Sequence, residues 1–211
     1  MKEKIDNFFY YYKTHLIVTV FITVLLVIGI RSCVDRKDID LKVVYFSDAL
    51  TASETADTME KSFAENGLLA DIDGDGEKTF HLDSIVHDFD INGSVDEATV
   101  NKIQATMFAG DHTLMLVHKY ALEDYDGSYE DISSHAKEGD GKFISPNSGA
   151  VIGISVAGNP YLEKMGIPTD NLYVAMRLRT ESEIKKGKNK NHFDHAYKVM
   201  DYILSQNGVR D

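Results

Sequence analysis

The run Leu16–Ile30, LIVTVFITVLLVIGI, constrains this chain more than any other stretch, because fifteen residues pass without a charge. Its only non-apolar members are two threonines and a glycine. A helix that is apolar on every face has no side to present to water, so it is stable only inside a core or inside lipid. Lys13 and Arg31 bracket the run, and charge at both ends argues for lipid. At 1.5 Å per residue the run covers about 22 Å, short of the ~30 Å hydrocarbon layer. Its flanks suit that deficit. Phe8, Phe9, Tyr10, Tyr11 and Tyr12 form an aromatic belt, Thr14 and His15 extend the span at the interface, and the basic ends can snorkel. A cleaved secretory signal would need a small-residue site that does not follow. A lipoprotein signal before Cys33 would want a small residue where Arg31 stands.

The expected organisation is therefore an N-terminal segment 1–15, one transmembrane helix 16–30, a charged linker 31–41 and a domain 42–211. The lipid bilayer is the expected partner of Leu16–Ile30. Lys2, Lys4 and Lys13 precede the run, while Arg31, Arg36, Lys37 and Lys42 follow it, so the positive-inside rule leaves the orientation open.

Net charge is −12 and the sequence pI is near 5.0, a balance that repels phosphate backbones and sets nucleic acid aside as a partner. Cys33 is the single cysteine, so neither an intramolecular disulfide nor a thiolate zinc site can form. The one basic cluster, Lys185, Lys186, Lys188 and Lys190, reads as a solvated loop.

Beyond the linker, strand-like and helix-like patterns alternate. Strands are expected at Val43–Phe46, within Phe80–Phe89, at Thr113–Val117, at Ala150–Val156 and at Leu172–Leu178. Helices are expected from Ser53 to a stop at Gly67, from Ser94 or Asp96 to Gly110, and from about Asn191 to Gln206. This alternation predicts an α/β fold, three-layered, with a mixed or mostly parallel sheet.

Val100–Tyr125, VNKIQATMFAGDHTLMLVHKYALEDY, resembles the helix, Gly-Asp turn and strand of extracellular solute-binding proteins of the type 2 periplasmic-binding fold. The whole chain looks like small membrane-anchored proteins of Gram-positive bacteria that share the aromatic start, one anchor and such a core. The resemblance implies a solute-binding-like domain outside the cytoplasmic membrane. A solute-binding protein closes two lobes on its ligand, and this chain has room for one.

The sharpest local chemistry is Asp71-Ile72-Asp73-Gly74-Asp75-Gly76-Glu77. Alternating carboxylates followed by glycine can wrap oxygens around a hard cation, as in the first half of an EF-hand loop. Asp71, Asp73 and Asp75 would supply side chains, Glu77 its carbonyl and Thr79 the ninth position. The twelfth, where a bidentate acid is wanted, is Leu82. A solvated Asp-Gly turn explains the same residues without calcium.

His192 and His195 share a helical face and could begin a metal site, although an exposed polar first turn is the ordinary outcome. His87, Asp88 and Asp90 read as a strand end. Tyr120, Tyr125 and Tyr129 among Glu123, Asp124, Asp126, Glu130 and Asp131 could line a cleft for a sugar or cation, or form an acidic surface loop. Gly153-Ile154-Ser155-Val156-Ala157-Gly158 departs from a nucleophile elbow at Ala157, and a buried strand explains it better. No catalytic set is expected. The sequence thus points to a single-pass, extracytoplasmic binding or sensing module, with a structural accessory protein docked on another membrane complex as the alternative. For the first, a pocket is expected near the strand ends around Leu116 and Val174.

Overall fold

The computed structural model describes residues 14–15, 17–29, 39–47, 53–86, 97–109, 112–187 and 189–208. The chain divides into two compact units, Met1–Asp38 and Ile39–Asp211. In the first, residues 14–15 and 17–29 are helical and every described side chain is exposed. The described stretch 17–29 rises about 20 Å, and among the described residues no helix is long and apolar enough to cross a membrane. The expected transmembrane helix Leu16–Ile30 is thus met as a helix but not as a full span. Leu16 and Ile30 themselves, the aromatic belt Phe8–Tyr12 and the linker up to residue 38 lie outside the described residues.

The second unit is an α/β domain. Its strands are β1 (Leu41–Ser47), β2 (Phe80–Val86), β3 (Leu114–His118), β4 (Lys142–Ile144), β5 (Val151–Ser155) and β6 (Leu172–Met176). The helices are α1 (Ser53–Glu65), α2 (Glu97–Ala109), α3 (Lys119–Asp124), α4 (Pro160–Lys164), α5 (Glu181–Lys186) and α6 (Lys190–Ser205). One six-stranded sheet runs in the order β2-β1-β3-β6-β5-β4. β1 is parallel to β2 and β3, and the remaining pairs are antiparallel, so the sheet is mixed.

Period-two alternation sorts the side chains into two cores. Leu41, Val43, Tyr45, Leu114, Leu116, Leu172, Val174 and Met176 face one side, where Met59 and Phe63 of α1 and Phe193, Val199, Met200 and Ile203 of α6 cover them. Val44, Phe46, Met115, Val117 and Ala175 face the other, under Ile103 and Met107 of α2 and Leu122 of α3. The crossovers explain this split. From β1 the chain steps outward to β2 through α1, then returns past β1 to β3 through α2. Two crossovers of the same hand in opposite directions put their helices on opposite faces.

Three expectations are corrected. Lys185 and Lys186 close the last turn of α5 rather than lying in a loop, because Thr180 and Glu183 form a capping box that starts a helix there. The acidic-aromatic stretch is not a solvated loop: it folds into α3 and a 3-10 turn, Asp126–Ser128, and buries Asp126, Tyr129 and Glu130. His195 is buried rather than exposed. His87, Asp88 and Asp90 lie outside the described residues.

Candidate functional site

The domain begins with a buried acid. Asp40, 2% exposed, directly precedes β1, and its carboxylate collects donors from a segment more than thirty residues on. Oδ1 accepts the N–H groups of Ile72 at 2.6 Å and Asp73 at 3.4 Å. Oδ2 accepts the N–H of Thr79 at 2.8 Å and its hydroxyl at 2.9 Å, while that hydroxyl in turn accepts the Asp40 N–H at 3.0 Å. Burial raises the Asp40 pKa, but the donors from Thr79, Ile72 and Asp73 outweigh it and hold the carboxyl below its ordinary value.

Around this anchor the loop folds on its own carboxylates. Asp71 accepts from the N–H groups of Gly74 at 2.7 Å and Gly76 at 3.0 Å. Asp73 accepts from Asp75 N–H at 3.0 Å, and Asp75 from Glu77 N–H at 2.7 Å. Gly74 and Gly76 sit at φ +80° and +87°, a backbone that side-chain-bearing residues rarely adopt. Carboxylate oxygens of Asp40, Asp71 and Asp73 come within 4.8 Å of one another, close enough to share a cation. A carboxylate offers about four acceptor sites, and the four donors on Asp40 take them up, so Asp40 organises the loop and a cation would fall to Asp71 and Asp73. Asp75 and Glu77 stand outside that trio, and the Thr79 hydroxyl is turned inward to Asp40.

Two histidines of α6 close the junction from the other side. His192 Nδ1 lies 3.1 Å from the Asp40 carbonyl, and His195 Nε2 lies 2.6 Å from the Leu68 carbonyl. A shallow open cavity of about 520 Å³ lies between α1 and the loop's two ends, lined by Asp57, Glu60, Lys61, Ala64, Leu69 and Lys78. It is not at the strand ends expected for a ligand pocket. Leu116 and Val174 pair with each other in mid-sheet and are fully buried.

Beyond β6 lies a buried ionic network. Arg177, 1% exposed, donates from Nε to the His112 carbonyl at 2.7 Å and from its terminal nitrogens to Glu183 at 2.8 and 3.2 Å. Burial raises the Glu183 pKa, but the bonds from Arg177, Thr180 and Asn189 prevail and lower it to about 2. Arg179 grips Glu130 through Nε at 2.7 Å and Nη2 at 2.8 Å, and Tyr197 of α6 donates to the same carboxylate at 2.9 Å. Both guanidinium groups lie over the Phe193 ring. Each acid here has a structural partner, so the network fastens α5 and α6 to the sheet.

Gly153 lies in mid-β5, where a Cβ would stand 2.6 Å from Leu122 Cδ1. The glycine thus permits close packing of α3 on the sheet, in keeping with a buried strand.

The roles of Asp40 and Glu130 escape local reading because their partners are far away in sequence, whereas Arg177, Thr180 and Asn189 all lie within six residues of Glu183. The Thr180-x-x-Glu183 spacing is the one local signal that would have found Glu183 and α5. Compared with known protein families, with curated proteins and with solved structures, the chain shows no match.

Proposed function

We propose that the chain is a membrane-anchored binding or sensing module, in which an N-terminal apolar helix tethers a solute-binding-like α/β lobe outside the cytoplasmic membrane. One observation carries this reading. Ile17, Val18, Val20, Phe21, Ile22, Val24, Leu25, Leu26, Val27 and Ile28 are all about half exposed, around the whole circumference of a helix. Each large aliphatic side chain left in water forgoes about 1.5–3 kcal/mol, and lipid is the apolar phase that takes a helix from every side. The helix is short for a bilayer, and the aromatic and basic flanks in the sequence would make up the difference. The β2-β1-β3 order supports a ligand role, since neighbouring connections leave in opposite directions at the carboxyl ends of β1 and β3, the usual crevice of open α/β sheets.

Carbonate washing of membranes carrying the full chain tests the anchor. The chain is expected in the membrane pellet, and its release into the wash overturns the reading. Protease digestion of intact cells should remove the domain if it lies outside. Thermal-shift screening of the full chain in detergent, against sugars, peptides and polyamines, tests binding, because a ligand of the native state raises Tm.

A second reading concerns the Asp71–Glu77 loop. With Asp71 and Asp73 close together, calcium would bridge them and tighten the turn. Millimolar calcium is then expected to raise Tm and EDTA to reverse it. Superimposed melting curves would remove the ion.

A further inference from the structure

We propose that His195 makes the joint between α6 and the segment 68–79 a latch that acid releases. The geometry is one-sided. Nε2 donates to the Leu68 carbonyl at 2.6 Å, which fixes the neutral ring with its proton on that nitrogen. Nδ1 is buried, and among the described residues it has no hydrogen-bond partner. A buried lone pair without a donor costs less than a buried charged N–H without an acceptor. A proton added there becomes a buried N–H with no acceptor, on a ring that now carries charge. The escape is to expose the ring, which breaks the Leu68 bond.

The charged surroundings do not reverse this. From α6, Lys198 and His192 disfavour the cation, while Asp40, just ahead of β1, and the Leu68 carbonyl favour it. Burial is the largest influence and leaves His195 harder to protonate than an ordinary histidine. With the folded pKa below the unfolded value, the latch is at full strength above pH ~6.5 and weakens as pH falls. Leu68 leads directly into the loop whose Ile72, Asp73 and Thr79 amides are held by Asp40, and His192 ties the same helix to Asp40. Losing the His195 bond therefore loosens the loop before it loosens the sheet.

Hydrogen exchange of the full chain in micelles at pH 7.5 and 5.5 tests this, with protection factors corrected for intrinsic rates. Protection at Ile72, Asp73 and Thr79 is expected to fall severalfold, with about tenfold as the ceiling that one pH unit below the unfolded histidine value of ~6.5 sets, while β3 amides hold. In His195→Gln, whose amide nitrogen can still donate to Leu68 but does not titrate, the fall should disappear. Unchanged protection in the wild type, or an equal fall in the variant, overturns the proposal. Should the variant not fold, NMR titration of the wild-type imidazole decides. A midpoint at or above 6.5 overturns the latch, and a lower midpoint tracked by the loop amides supports it.

Discussion

Glu183 and Asp40 are both buried carboxylates, yet they do different work. Glu183 neutralises Arg177, a cation that is itself 1% exposed. Removing one partner of a buried pair leaves an uncompensated charge, so Glu183→Ala is expected to cost about 3–5 kcal/mol, and Glu183→Gln about 1.5–3 kcal/mol, by urea denaturation. The pH dependence has a definite sign. The carboxyl is lowered from 4.5 to about 2 in the folded state, so its contribution is complete above pH 4.5 and is lost as pH falls toward 2. Glu183→Gln should flatten acid unfolding in that window while leaving the His195-dependent loosening below pH ~6.5 unchanged. Asp40, by contrast, has no cationic hydrogen-bond partner among the described residues; its donors there are the Thr79 hydroxyl and main-chain N–H groups. Asp40→Ala orphans those N–H groups and should lower stability by about 1–3 kcal/mol. Asp75→Asn, on the exposed side of the loop and still able to accept from Glu77, should stay within about 0.5 kcal/mol.

At the scale of elements, the β-rich run Val43–Phe46 and the apolar runs at residues 113–117 and 172–178 were legible, because a strand with both faces covered reads as a continuous apolar stretch. The ends moved by one or two residues, as frayed boundaries do. β4 was not legible, since three residues that pair only with β5 carry no period. α5 was hidden by its lysines, although its capping box lay in plain view. The loop was legible as a turn but its anchor was not, because an aspartate before β1 says nothing of residues 72–79. Gly153 offers an element-scale test of packing. In Gly153→Ala the new methyl meets Leu122 Cδ1 at 2.6 Å, and Leu122 is fully buried, so its side chain moves only by displacing its neighbours. Overpacking of this kind costs about 1–3 kcal/mol. Leu122→Ala makes room, so the double variant should be more stable than the sum of the single losses implies, measured as a double-mutant cycle.

For the molecule as a whole, the division between Asp38 and Ile39 places the boundary just ahead of the buried acid. Both faces of the sheet are covered from within residues 41–204, since α1 and α6 close one core and α2 and α3 the other. A fragment of 39–208 is therefore expected to fold without the apolar helix and without detergent. Its unfolding free energy should equal that of the domain in the full chain. A fragment that starts at Leu41 keeps every strand and helix but loses the carboxylate that gathers Ile72, Asp73 and Thr79. Shortening by two residues should then cost about 1–3 kcal/mol, the same loss as Asp40→Ala, although neither missing residue belongs to an element. Urea titrations of the two fragments give the difference directly. Equal midpoints would show that the loop holds its shape without Asp40, and the junction would then no longer be the point from which the Asp71–Glu77 turn is positioned.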